Sequence, residues 1–169
     1  MLKLVPVLAA ALLAGSPVGA SQLGPHAGLC AGTRPAMLVR IVGLKSRSGT
    51  VRVQSYGGDP ERFLDKGSYL ERVEFQPPAS GPVEVCMPVP QAGVYAIAVR
   101  HQATGSTSSD LSDGGGLSGN PARSLVDLAF KRKPSPQQIA VRVSGVVTVP
   151  IVMNYLQGGS FRPVATAER

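Results

Sequence analysis

Apolar and polar residues alternate with a period of two in short blocks along most of the chain. This is the signature of half-buried β-strands. The strongest block runs from Gly93 to His101, Gly-Val-Tyr-Ala-Ile-Ala-Val-Arg-His. Val94, Ala96 and Ala98 point to one face, and Tyr95, Ile97 and Val99 to the other. Apolar residues on both faces predict an interior strand, covered on both sides. A long Gly/Ser/Asp stretch follows it.

Seven further strands are expected around this one. Ala36 to Leu44 and Thr50 to Tyr56, joined by Lys45-Ser46-Arg47-Ser48-Gly49, read as a β-hairpin,. Gly57-Gly58-Asp59-Pro60 breaks the pattern. Glu61 to Gly67 fits one short helical turn, with Asp59 as cap and Pro60 at the first helical position,. Phe63 and Leu64 would plug one end of the core. Ser68 to Phe75 and Pro82 to Met87 are the next strands, separated by Pro77-Pro78 and Ser80-Gly81. The stretch from Gln102 to Arg123 reads as a loop without regular structure, and a loop of that length is usually functional or disordered. Ser124 to Phe130, Gln137 to Val143 and Val146 to Tyr155 complete the set, the last two joined by a tight turn at Ser144-Gly145,.

About seven to eight short strands with almost no helix predict an all-β fold. An antiparallel β-sandwich of immunoglobulin-like or prealbumin-like kind fits best, with a closed barrel as the alternative. No internal repeat is visible. The expected organisation is a signal peptide over 1–20, an irregular lead-in over 21–35, the sandwich over 36–156 and a flexible tail over 157–169.

The signal peptide rests on Lys3, the apolar run Leu4 to Ala14, the break Gly15-Ser16-Pro17 and the small or short residues Val18-Gly19-Ala20,. The run is too short to span a bilayer, and no other segment of the mature chain could do so. A periplasmic or secreted location follows as the expectation. In an oxidising compartment the two cysteines, Cys30 and Cys86, favour a disulfide of about 4 kcal/mol over two separate thiols,. Gly (20) and Pro (15) are abundant and charged residues are only 16%, which marks a turn-rich globular chain rather than a disordered one,.

The formal charge is +7. Most of the cations are scattered singly along strands. The one cluster, Lys131-Arg132-Lys133, stands before Pro134 and reads as a solvated turn,. A nucleic-acid partner is not expected, while peripheral attraction to an anionic envelope surface is compatible with the charge.

The order and spacing of three motifs resemble the bacterial secreted proteins of domain of unknown function family 2141. These are Val42-Gly43-Leu44 with Gly49-Thr50-Val51-Arg52-Val53, then Gly93 to Val99 before His101, and the terminal strand Thr148 to Tyr155. The resemblance spans roughly Met37 to Tyr155. It implies a signal peptide and a small β-sandwich, and no activity. After the central strand the family typically reads His-Asp-x-Asn-x-Asn-Gly-x-x-Asp, a calcium-like spacing of oxygen ligands. The matching segment here runs from His101 to Asp110 and keeps only those two polar identities. Gln102, Thr104 and Ser106 are neutral, so neither calcium nor another metal cofactor is expected. The family's later Gly/Asn stretch is echoed by Gly119-Asn120-Pro121-Ala122.

His101, Asp110, Asp113 and Asn120 are therefore the candidate binding residues. A hydrolase triad could draw on His101, on Asp110 or Asp113, and on Ser106, Ser108, Ser109 or Ser112. No Gly-x-Ser-x-Gly elbow supports one, and Gly114-Gly115-Gly116 lacks the Lys and Ser/Thr of a phosphate loop,. A serine-rich loop beside a histidine is more often a polar loop, and His101 at a strand end reads as a hydrogen-bonded anchor. Asp127 reads as a strand residue paired with an arginine such as Arg123. The expected function is a non-catalytic envelope module that binds an envelope protein or glycan. The alternative is a hydrolase or metal-dependent enzyme using His101 and the 102–120 loop.

Overall fold

The computed structural model describes residues 23–104, 112–124, 126–127, 130 and 132–164. The expected signal peptide, Asp110, Ser106, Ser108 and Ser109 lie outside the described residues. Ten strands are described: β1 Ala36–Val42, β2 Thr50–Gly57, β3 Tyr69–Phe75, β4 Val83–Pro88, β5 Gly93–Gln102, β6 Gly114–Leu117, β7 Val141–Val143, β8 Val146–Val152, β9 Asn154–Gln157 and β10 Ser160–Pro163. One short helix, α1, spans Pro136–Ile139. No helix among the described residues is long and apolar enough to cross a membrane.

The strands form two sheets, one of order β4-β1-β8 and one of order β10-β9-β6-β5-β2-β3. β7 pairs with the first half of β5 and β6 with its second half, on the same side. The fold is the expected all-β sandwich. Its pairing is mostly antiparallel, with β1 and β8 parallel.

The sheets meet over a core of β-branched and sulfur-containing side chains. Met37, Val39 and Ile41 of β1 and Val85 and Met87 of β4 face Val51, Val53, Ile97 and Val99 of the larger sheet. β5 is interior, as its pattern requires. Its second face is covered by a smaller cluster in which Tyr56, Phe63, Ala96 and Ile139 pack with Leu64, Val94, Ala98 and Leu117. Phe63 and Leu64, directly after the short turn Pro60–Arg62, supply part of that cover, and Asp59 Oδ1 accepts the turn's Glu61 N–H as expected.

Several expected elements differ. β1 and β2 are not a hairpin, because they lie in different sheets. Alternation shows that each buries one face, but carries no information on which strand lies beside it. The 102–123 stretch contains β6, whose Gly-Gly-Gly sequence hides it from any apolar pattern. Ser124 to Phe130 is not a strand where it is described. Val126 and Asp127 are helical, and Phe130 N–H donates to Val126 O at 3.0 Å. Ser124 caps this turn, because its Oγ accepts from Asp127 N while Asp127 Oδ2 accepts from Ser124 N and Oγ,.

Residues 137–143 divide into α1 and the short β7. Pro136 stands at the helix start, and Gln138 Oε1 accepts from Ser135 N at 3.0 Å. The turn at Ser144-Gly145 passes from one sheet to the other rather than closing a hairpin. The last expected strand likewise divides at Met153, with β8 in the smaller sheet and β9 in the larger. Within the expected tail, β10 pairs antiparallel with β9.

The lead-in is fixed. Cys30 and Cys86 form a disulfide with Cα atoms 5.8 Å apart, a spacing normal for the bond,. Leu23 makes a parallel bridge to Val85 and donates to Glu84 O at 2.7 Å, covering the free edge of β4,. His26, read as solvated, has its Nε2 3.6 Å from Glu71 Oε2.

Candidate functional site

His101 closes the core face of β5 and is fully buried. Its Nε2 lies 2.8 Å from Ser48 O, and its Nδ1 lies 2.6 Å from Tyr155 Oη. A carbonyl can only accept, so Nε2 carries the hydrogen. In the neutral ring Nδ1 then accepts from the tyrosine hydroxyl. Tyr155 Oη in turn accepts from Lys45 N–H at 3.1 Å. The relay holds both ends of the connection between β1 and β2, where the chain crosses between sheets. Gly49 completes the joint, since at φ +78° it packs where a Cβ would overlap the Gln102 carbonyl,. Burial pushes the Tyr155 phenol up to about 12, with the Lys45 amide a smaller opposing influence.

The other expected binding residues are also engaged. Asp113 Oδ2 accepts from Arg100 Nη2 at 2.6 Å and Nε at 3.1 Å, which ties the start of β6 to β5. Asn120 sits at φ +47°, a conformation asparagine tolerates,. Its Nδ2 donates to Pro150 O at 3.0 Å and its Oδ1 accepts from Val152 N at 2.7 Å. Its side chain thus stands in for a neighbouring strand along β8. The structure does not bring His101, Asp113 and Asn120 into one cluster. His101 belongs to the core face, whereas Arg100, which holds Asp113, points to the opposite face of β5. Asp127 pairs with Ser124 rather than lying in a strand. Those two hydrogen bonds hold its carboxyl below the usual range, with Arg123 and Arg132 adding to the effect.

A cleft of about 380 Å³ opens elsewhere, on the outer face of the larger sheet. Leu64, Gly115, Leu117 and Phe161 line its apolar part. Arg123, Arg132, Lys133 and Asp127 stand at its polar part, with Asn120 at one side. β6 explains why space exists here. Gly114 and Gly116 face the core, where a Cβ at 116 would lie 2.5 Å from Ile151 Cγ2. Gly115 faces outward, and its missing side chain leaves the floor open, with Phe161 Cζ 3.6 Å from a built Cβ. Ser118 holds the strand in place. Its N donates to Ile97 O at 2.9 Å, its Oγ accepts from Ile97 N at 3.0 Å, and the hydroxyl donates to Ile139 O.

The cleft is not expected from the sequence, and Asn120 is the one expected binding residue, among those described, that lines it. The available signals were Ser124-x-x-Asp127 and Ser135-x-x-Gln138, two capping patterns beside the helical residues Val126 and Asp127 and the helix α1,. The basic cluster before Pro134, read as a solvated turn, supplies two of the rim cations.

Fold and site together define a disulfide-pinned β-sandwich with a cleft on one outer face. The chain belongs to the family described as uncharacterized protein conserved in bacteria (DUF2141), whose model matches residues 39–149. No curated protein and no solved structure matches the chain.

Proposed function

We propose that this protein is a secreted, periplasmic binding module of the cell envelope and is not an enzyme. The observation that carries the reading is the outer-face cleft, with its apolar floor and cationic rim. Its volume lies at the low end of small-ligand sites. The polar residues first considered for chemistry support the same reading. Both ring nitrogens of His101 are engaged by the fold, and Asp113 is ion-paired with Arg100. Lys3, the apolar run to Ala14 and Val18-Gly19-Ala20 support export, and the Cys30–Cys86 disulfide suits an oxidising compartment,.

In-cell photocrosslinking tests the reading. A photoreactive residue in place of Phe161, in the cleft wall, is expected to capture a discrete adduct. The same residue in place of exposed Val146, on the smaller sheet, is expected to capture none. Equal capture from both positions, or none from either, would count against it. The hydrolase reading requires a His101 nitrogen that reaches a nucleophile or substrate, whereas the described partners of both are Tyr155 Oη and the Ser48 carbonyl,. Replacing His101 and Asp110 with Ala in a folded protein abolishes any measured turnover if that reading holds, and leaves it unchanged if the binding reading holds.

A further inference from the structure

We infer that the cleft takes a small amphipathic anion, with an apolar body on Gly115, Leu117 and Phe161 and a carboxylate or phosphate head at Arg123. This rests on the cleft being the binding site, as proposed above. The charge balance at the rim is the first ground. Three cations line the cleft against one anion, Asp127. Lys133 is held by Asp65, while Asp127, bonded by the Ser124 amide and hydroxyl, keeps its negative charge beside Arg123 and Arg132. Two arginines against one carboxylate leave the rim net positive, which disfavours a cationic ligand.

The state of Arg123 is the second ground. One terminal nitrogen, Nη2, donates to Arg132 O. Its Nε is buried and makes no hydrogen bond to any described residue. A buried donor ordinarily has a partner. A guanidinium presents its donors as a planar fork suited to a carboxylate or phosphate oxygen pair. Nε itself is closed to solvent, so an anionic head would meet the terminal nitrogens first and reach Nε only with a shift of the side chain. The floor is the third ground. Gly115 opens apolar space beside Leu117 and Phe161 that water fills poorly, because it offers few hydrogen-bonding groups,.

The same chemistry is found in a free fatty acid and in an anionic lipid of a bilayer. Phe130 and Val126, both strongly exposed beside the rim, would suit contact with a bilayer surface,. The experiment therefore has arms for both. Amide shifts of the purified mature protein are followed by NMR during titration with octanoate, octanol or acetate. Octanoate is expected to shift Gly115, Gly116 and Leu117, and to bind at least ten-fold more tightly than octanol or acetate. Arg123→Gln is expected to weaken octanoate about ten-fold and leave octanol unchanged. Should that variant misfold, added sodium chloride must weaken octanoate and not octanol in the wild-type protein.

Vesicles of dioleoylphosphatidylglycerol that displace octanoate would assign the lipid as source, and vesicles without effect would assign the free molecule. Both results uphold the class. Octanol binding as tightly as octanoate would overturn the anion and leave the cleft as a binding site. No shift with either would overturn this inference and the cleft reading together.

Discussion

Tyr155 Oη lies 2.6 Å from His101 Nδ1, and the same oxygen accepts the Lys45 amide at 3.1 Å. The pair therefore joins β9, β5 and the β1–β2 crossover into one hydrogen-bonded unit. The histidine that sequence reasoning singles out for chemistry serves here as a structural joint. Replacing it should cost stability. His101→Ala removes two buried hydrogen bonds and the volume of a ring, a loss of about 2–4 kcal/mol. Tyr155→Phe keeps the volume and strands the Lys45 amide and Nδ1, a loss of about 1–3 kcal/mol. Urea unfolding measures both. Changes below about 0.5 kcal/mol would show that the relay does not hold the crossover.

The same tyrosine predicts a pH dependence. Its folded pKa of about 12 stands above the ordinary phenol value of about 10, so between these values the native state holds a proton that the unfolded chain has released,. Stability is then fully present below pH 10 and falls as pH rises from 10 to 12. The slope contributed by this one group is up to about 1.4 kcal/mol per pH unit. Tyr56, also raised by burial, adds in the same direction. Unfolding of wild type and Tyr155→Phe across this range is the check. The variant should lose stability less steeply, and parallel curves would contradict the assignment.

The two faces of β6 make opposite predictions for neighbouring glycines. A Cβ on Gly116 would sit 2.5 Å from Ile151 Cγ2 and 3.0 Å from Val152 O. Gly116→Ala should destabilise by about 1–3 kcal/mol through overpacking. A Cβ on Gly115 meets only ordinary contacts at 3.6 and 4.0 Å. Gly115→Ala should stay within about 0.5 kcal/mol of wild type. Thermal unfolding of the two variants distinguishes them, and equal losses would place the cleft floor on the wrong face.

The disulfide gives a further expectation. Cys30 and Cys86 are 56 positions apart, and closing a loop of that size stabilises by about 4 kcal/mol in the chain-entropy account,. The double Ser variant should lose a comparable amount in urea unfolding. It should also expose the Leu23 amide, which bonds Glu84 O, to faster hydrogen exchange,. Thiol titration of the unreduced, denatured wild-type protein should find no free thiol, and two free thiols would contradict the bond.

The sequence made the layer architecture legible because burial follows period. Val51, Val53, Ile97 and Val99 alternate, and all four are core. Both faces of β5 are apolar, and both are covered. Pairing was less legible. β1 and β2 alternate as hairpin strands do, yet the β1–β2 crossover depends on contacts from His101 and Tyr155, which are distant in sequence. β6 escaped notice because three glycines carry no pattern, even though their lack of side chains is what admits Tyr155 and Ile151 on one face and opens the cleft on the other. The sequence offers His101 both as an anchor and as a candidate binding residue, and its hydrogen-bond partners, Tyr155 Oη and the Ser48 carbonyl, are brought to it only by the fold. The cleft was illegible for the same reason. Leu64, Gly115, Arg123 and Phe161 share no local motif and meet only in the folded chain.

The central claim is that the outer-face cleft is the binding site. Capture by a photoreactive residue at position 161, with and without Gly115→Leu in the same chain, tests it most directly. The leucine fills the floor without entering the core. At unchanged melting temperature, the account predicts that the adduct seen from position 161 is lost. An adduct of undiminished yield in the plugged protein would contradict it.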